Sequence, residues 1–234
     1  MVFEHGSSCN ECTIRKTTIF SSLSNTELST INSIIQTIHY RKKESVFLEN
    51  SPMTDIYLVK NGIVKVYKSV QDGRQQILRL CGLGDILGLD AVFSEHYYTT
   101  AKAVVDSTVC KISKKDFLDF IYSNQKLAVK LLQATSKELA FSQTQIFNLG
   151  TRTAKERIAD FLLYVYNSQC SCDANTRKIN LPISRQEISE LLGIKQETAV
   201  RILTQLRVAN LIQIKGREIT LLNPSALGKI ALHE

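Results

Sequence analysis

The stretch Leu181-Pro182-Ile183-Ser184-Arg185-Gln186-Glu187-Ile188-Ser189-Glu190-Leu191-Leu192-Gly193-Ile194-Lys195-Gln196-Glu197-Thr198-Ala199-Val200-Arg201-Ile202-Leu203 reads as two short helices that meet at a glycine. Ser184 can cap the first helix with Glu187 reaching back to it, and Gly193 supplies a backbone that tolerates a sharp turn. In the second helix Ala199, Ile202, Leu203 and Leu206 share an apolar face, while Gln196, Glu197, Val200 and Arg201 lie on the other side near the N-terminal end. This spacing is that of a helix-turn-helix, and it lets those four side chains enter a major groove of double-stranded DNA. Arg can donate two hydrogen bonds to guanine O6 and N7, and Glu can accept one from cytosine N4, so Glu197 and Arg201 make a chemically sensible reading pair. Taken alone the two would be an ordinary i, i+4 surface ion pair worth a few tenths of a kcal/mol. The capped helix before them and the basic hairpin after them, Leu211 to Thr220, favour the DNA-reading role.

Working back from this motif, Thr153 to Tyr166 has the spacing of an amphipathic helix, followed by a polar segment, Asn167 to Lys178, whose Cys170 and Cys172 read as incidental. From Asp116 to Leu149 the chain is expected to be helical, and Ala128, Leu132, Thr135, Leu139, Ser142, Ile146 and Leu149 recur at alternating spacings of four and three, a heptad seam suited to pairing with a second copy. Between Val46 and Ile112 the pattern becomes short β-rich runs, 57–59, 63–67, 76–80 and 104–112, separated by the turn signals Lys60-Asn61-Gly62 and Gln71-Asp72-Gly73-Arg74. That rhythm predicts an antiparallel barrel or sandwich. Gly82, Gly84 and Gly88 read as tight turns within it; a dinucleotide loop would need a different spacing and a βαβ unit. Leu23, Leu28, Ile31, Ile34, Ile35 and Ile38 place a short helix before the first strands, with Ser24 to Glu27 as its capping box.

The 234 residues, 44% of them apolar, suffice for one large or two modest domains. A net charge of +7, from 29 basic and 22 acidic residues, agrees with a polyanionic partner. No run approaches the length of a membrane span and residues 1–16 carry no signal-peptide pattern, so no membrane partner and a cytoplasmic location are expected. There the six cysteines should be reduced, available for metal binding, redox sensing or burial. His5, His39, His96 and His233 are scattered, and no nucleophile, base and orienting group assemble, which argues against an enzyme. The rival is a β-domain that regulates a protein partner without binding specific DNA.

Over nearly its whole length the sequence resembles the Crp/Fnr superfamily of bacterial transcription regulators, most strongly in Arg185-Gln186-Glu187-Ile188 and Gln196 to Leu203. The resemblance implies an α+β fold: a cyclic-nucleotide-binding-like antiparallel β-roll, a long dimerisation helix and a C-terminal winged helix-turn-helix. The expected division is 1–19 as a cysteine-containing segment, 20–124 as the sensor roll, 125–149 as the dimerisation helix and 150–234 as the DNA-binding domain. Glu197 and Arg201 match base-reading positions of the family. Ser184, Arg185, Gln186 and Thr198 match phosphate-contacting ones. A homodimer on an inverted repeat and contact with RNA polymerase are further implications.

The resemblance also frames the signal. Cyclic-AMP receptors of the superfamily carry a Glu and an Arg in a phosphate cassette, and here Leu89 and Thr99 stand in those places, which removes the cation that would pair with the cyclic phosphate. The stretch is more similar to the oxygen-regulator branch, whose [4Fe–4S] cluster has three N-terminal cysteines and one central cysteine. Cys9, Cys12 and Cys110 fall in matching positions, whereas Thr18 sits where the third N-terminal cysteine belongs. His5, Cys81 or an oxygen ligand are candidates to complete the set. Unliganded or redox-sensing thiols, haem and another small effector remain open beside the cluster.

Overall fold

The computed structural model describes residues 19–169 and 177–232. They divide into two compact units, one ending at Phe141 and the other starting at Ser142. The boundary falls inside a long helix.

The first unit opens with a single 3-10 turn, Ile19–Ser22, followed by α1 (Asn25–Ile34). Ser24 caps α1 as expected, accepting from the Glu27 N–H at 3.3 Å while Glu27 Oε2 accepts from the Ser24 N–H at 2.7 Å. Eight strands follow: β1 (Gln36–Tyr40), β2 (Ser45–Phe47), β3 (Asp55–Asn61), β4 (Val64–Ser69), β5 (Gln75–Cys81), β6 (Ile86–Leu87), β7 (Thr100–Ala103) and β8 (Ser107–Ser113). They form two antiparallel sheets, ordered β1-β8-β3-β6 and β2-β7-β4-β5, which make a jelly-roll. Val59, Val64, Leu87, Ala101 and Val109 are fully buried in its core.

Two expectations change. The strand expected over 104–112 begins only at Ser107, because 104–106 form a turn held by distant partners. Asp106 Oδ1 accepts from the Lys42 N–H at 2.8 Å, and Ser107 Oγ accepts from the Ile63 N–H at 3.2 Å. The glycine-rich segment holds more than turns: Gly84 and Gly88 take positive φ, and Ile86–Leu87 between them pair with Leu58 and Tyr57.

The helical stretch expected from Asp116 to Leu149 is two helices, α2 (Lys114–Ser123) and α3 (Gln125–Thr151). The break is at Asn124, whose backbone is extended. Its Oδ1 accepts from the Leu127 N–H at 2.9 Å, and its amide nitrogen donates to Glu27. A side chain that satisfies an orphan donor at a helix start stops the preceding helix from running through.

The second unit contains α4 (Ala154–Gln169), β9 (Lys178–Asn180), α5 (Arg185–Leu192), α6 (Gln196–Val208), the hairpin β10 (Ile212–Lys215) and β11 (Glu218–Leu221), and α7 (Pro224–Leu232). The three strands form an antiparallel sheet, β10-β11-β9. Ile158, Ala159 and Leu162 of α4 are buried with Leu206 of α6 and Leu227 of α7, giving the unit its own core. Among the described residues no helix is long and apolar enough to cross a membrane.

Candidate nucleic-acid interface

The two helices of the motif are set by local chemistry. Ser184 Oγ accepts from the Glu187 N–H at 3.2 Å and Glu187 Oε2 accepts from the Ser184 N–H at 2.8 Å, a complete capping box at the start of α5. At the other end Gly193 adopts φ 61° and ψ 42°, a left-handed conformation that a Cβ would strain. Its N–H donates to the Ser189 carbonyl, closing α5 and turning the chain into α6.

On α6, Ala199, Ile202, Leu203 and Leu206 are all buried. Gln196, Glu197, Val200 and Arg201 are exposed together on the opposite side, and among the described residues no ion pair joins Glu197 to Arg201. Of the positions expected at phosphates, Ser184 and Gln186 are exposed, while Arg185 and Thr198 are half-buried. Gln186 Nε2 donates to Glu190 Oε1 at 2.9 Å, and Arg185 Nη2 reaches the carbonyl of Gly216 at 3.5 Å. Gly216 turns the β10–β11 hairpin with φ 64°, so Arg185 is tied to the tip of the wing. Burial lowers the Arg185 pKa from its ordinary value.

Sequence reasoning missed the brace behind this surface. Arg157 of α4 donates from Nη1 to the Leu192 carbonyl at 2.8 Å, meeting the negative end of α5 where helix carbonyls lack partners. Its partner is 35 positions away, beyond the reach of helix spacing or capping rules.

The expected seam lies along α3. Leu132, Leu139 and Ile146 are 69, 60 and 70% exposed; Ser142 is exposed, and Ala128 and Thr135 are half-buried. The Thr135 hydroxyl donates within its own helix, to the carbonyls of Leu131 and Leu132, so this polar member brings no unsatisfied donor to the seam.

In the roll, Leu89 and Thr99 stand in the cassette region. Leu89 is buried in the short 3-10 turn Leu89–Ala91, Thr99 is buried, and the neighbouring Thr100 Oγ1 accepts from the Glu49 N–H at 3.0 Å. Cys110 sits in the core on β8 between Thr37 and Leu58. Cys81 is buried on β5, and burial pushes its thiol up to about 12, which disfavours the thiolate that a cluster requires.

Cys9, Cys12, Thr18 and His5 lie outside the described residues, as do Cys170 and Cys172. Among the described residues no group of three or more His, Cys, Asp or Glu is placed to hold a metal ion. Cys thiolates are the usual ligands of a [4Fe–4S] cluster. Beside Cys9, Cys12 and Cys110, the buried and protonated Cys81 is a poor fourth ligand, which leaves His5 or an oxygen ligand as the candidates to complete the set.

Known proteins show the same arrangement. A cyclic nucleotide-binding domain model matches residues 37–124 and a Crp-like helix-turn-helix domain model matches residues 156–230. The chain is 32% identical over 231 residues to the nitrogen fixation regulation protein FixK of Bradyrhizobium diazoefficiens, spanning 99% of this chain and 97% of that protein. It is 27% identical over 226 residues to the fumarate and nitrate reduction regulatory protein of Escherichia coli K12, spanning 96% and 90%. The solved structure of FixK2 from Bradyrhizobium japonicum superposes with a TM-score of 0.76 at 31% identity, covering 84% of this chain and 97% of that one. With roll, helix-turn-helix and wing all in place, the chain belongs to the Crp/Fnr family and is a DNA-binding transcription regulator.

Proposed function

We propose that this regulator acts as a cytoplasmic homodimer on an inverted repeat in double-stranded DNA. Gln196, Glu197, Val200 and Arg201 meet base edges, and Ser184, Arg185, Gln186 and Thr198 meet phosphates. The observation that carries this reading is on α6: its apolar face is wholly buried, whereas Glu197 and Arg201 are exposed and not engaged with each other. Both groups are therefore available for cytosine N4 and guanine O6 and N7. The apolar seam on α3 supports the dimer, because Leu132, Leu139 and Ile146 lie exposed at spacings of seven residues. A two-fold protein calls for a two-fold site, with half-sites about 34–36 Å apart.

The roll is the sensor in this reading, and RNA polymerase is the machinery that the regulator addresses. The cassette carries no guanidinium to pair with a cyclic phosphate, which disfavours a cyclic nucleotide as its ligand. The chemical handle is oxidation at Cys9, Cys12 and Cys110. The proposal is redox control at these cysteines, and an iron–sulfur cluster on Cys9, Cys12 and Cys110 with His5 or an oxygen ligand is one form it takes.

Fluorescence anisotropy with an inverted-repeat duplex and a scrambled duplex, across a salt series, tests the DNA reading. The expected result is tighter binding to the repeat, with affinity falling as salt rises. Equal affinity for both duplexes at every salt concentration would reject sequence-specific reading.

A further inference from the structure

On the side of α3 that faces the roll, Leu127 is fully buried, and Leu131 and Ala134 pack on the roll's core. These positions, spaced by four and three, form one stripe, and the next position in the progression is Glu138. A carboxylate thus stands where the pattern asks for an apolar side chain. It meets Arg79 of β5, whose Nη1 lies 2.7 Å from Glu138 Oε1, with the two side chains 20 and 35% exposed. Arg79 Nη2 donates to the carbonyl of Ile86 at 2.6 Å. Since β5 belongs to one sheet and β6 to the other, one guanidinium joins both sheets of the roll to the helix.

We infer that the Arg79–Glu138 pair is a latch that sets the rotation of α3 on the roll and, through it, which helix face is offered to a second copy of the chain. The inference rests on the homodimer proposed above. The apolar contacts at Leu127, Leu131 and Ala134 hold the helix without specifying its angle, because hydrophobic burial is non-directional. A forked, charge-assisted hydrogen bond does specify it. The seam residues Leu132, Thr135 and Leu139 each follow a roll-facing residue by one position, about 100° around the helix, so turning one face turns the other by the same angle. Glu138 is also the last member of the stripe before Ser142, where the second unit begins. Burial raises the Glu138 carboxyl above its ordinary range despite the pull of Arg79.

The test compares the full chain as wild type, as Glu138→Gln and as the apolar double variant Arg79→Met/Glu138→Leu. Hydrogen exchange over 135–141 and sedimentation equilibrium are measured on each. Glu138→Gln should speed exchange there roughly fivefold, leave β3 and β8 unchanged, and weaken self-association roughly tenfold. The double variant should recover slow exchange, since apolar packing replaces the pair, but not the association, since direction is lost. Unchanged exchange in Glu138→Gln, or full recovery of association in the double variant, would overturn the latch. Arg79→Lys keeps the charge and loses the fork; should the double variant not fold, weakened association in Arg79→Lys supports the latch and unchanged association rejects it. A monomeric wild type at micromolar concentration would instead refute the dimer, and the exchange measurement would then decide alone whether the pair orders the helix.

Discussion

Leu139→Ala removes three carbons from the middle of the exposed seam. In one chain Leu139 is 60% exposed, so pairing with a second copy can bury at most that fraction anew. At about 0.8 kcal/mol per buried CH₂, three carbons at that fraction come to about 1.4 kcal/mol per copy. Two-fold symmetry places the change in both copies, for about 3 kcal/mol per dimer and roughly a 100-fold rise in the dimer Kd. The same side chain contributes little to the core of its own unit, so the folding of a single chain should move by under about 1 kcal/mol. Sedimentation equilibrium reads the first quantity, and thermal unfolding at concentrations below the dimer Kd reads the second. A dimer Kd unchanged by Leu139→Ala would refute the reasoning. So would a loss appearing wholly in single-chain stability, because Leu139 would then be packed against its own unit.

Other expectations follow from the same geometry. Arg201→Ala should lose about 1–3 kcal/mol of discrimination at one guanine, whereas Arg185→Ala should weaken all duplexes alike and lower the salt slope by about one; anisotropy on a panel of single-base variants separates the two. Ser184→Ala removes the α5 cap and should cost about 1 kcal/mol in urea unfolding, with Ser184→Asp restoring most of it. The raised pKa of Cys81 gives an alkaline dependence: its contribution is complete below about pH 9, where the thiol is protonated in folded and unfolded chains alike, and is lost as pH rises toward 12. Denaturation midpoints should fall more steeply between pH 9 and 11 for the wild type than for Cys81→Ala, and equal slopes would place Cys81 in contact with water.

The helix-turn-helix was legible in the sequence because each device that builds it is local. The Ser184–Glu187 box spans three residues, Gly193 turns the chain at its own position, and the two faces of α6 follow from helical spacing alone. The Ser24–Glu27 box is of the same kind. What tertiary structure decided involves partners far apart in the chain. Ser107 meets Ile63 and starts β8 later than its β-rich run suggests. Asn124 engages Glu27 and divides one helical pattern into α2 and α3. Arg157 reaches Leu192 to brace α5, and Arg79 reaches Glu138 across the roll. Periodicity and capping report the interactions of a residue with its own turn or strand. A hydrogen bond closed over tens of residues exists only after the sheets have paired and the helices have docked, so no local pattern encodes it.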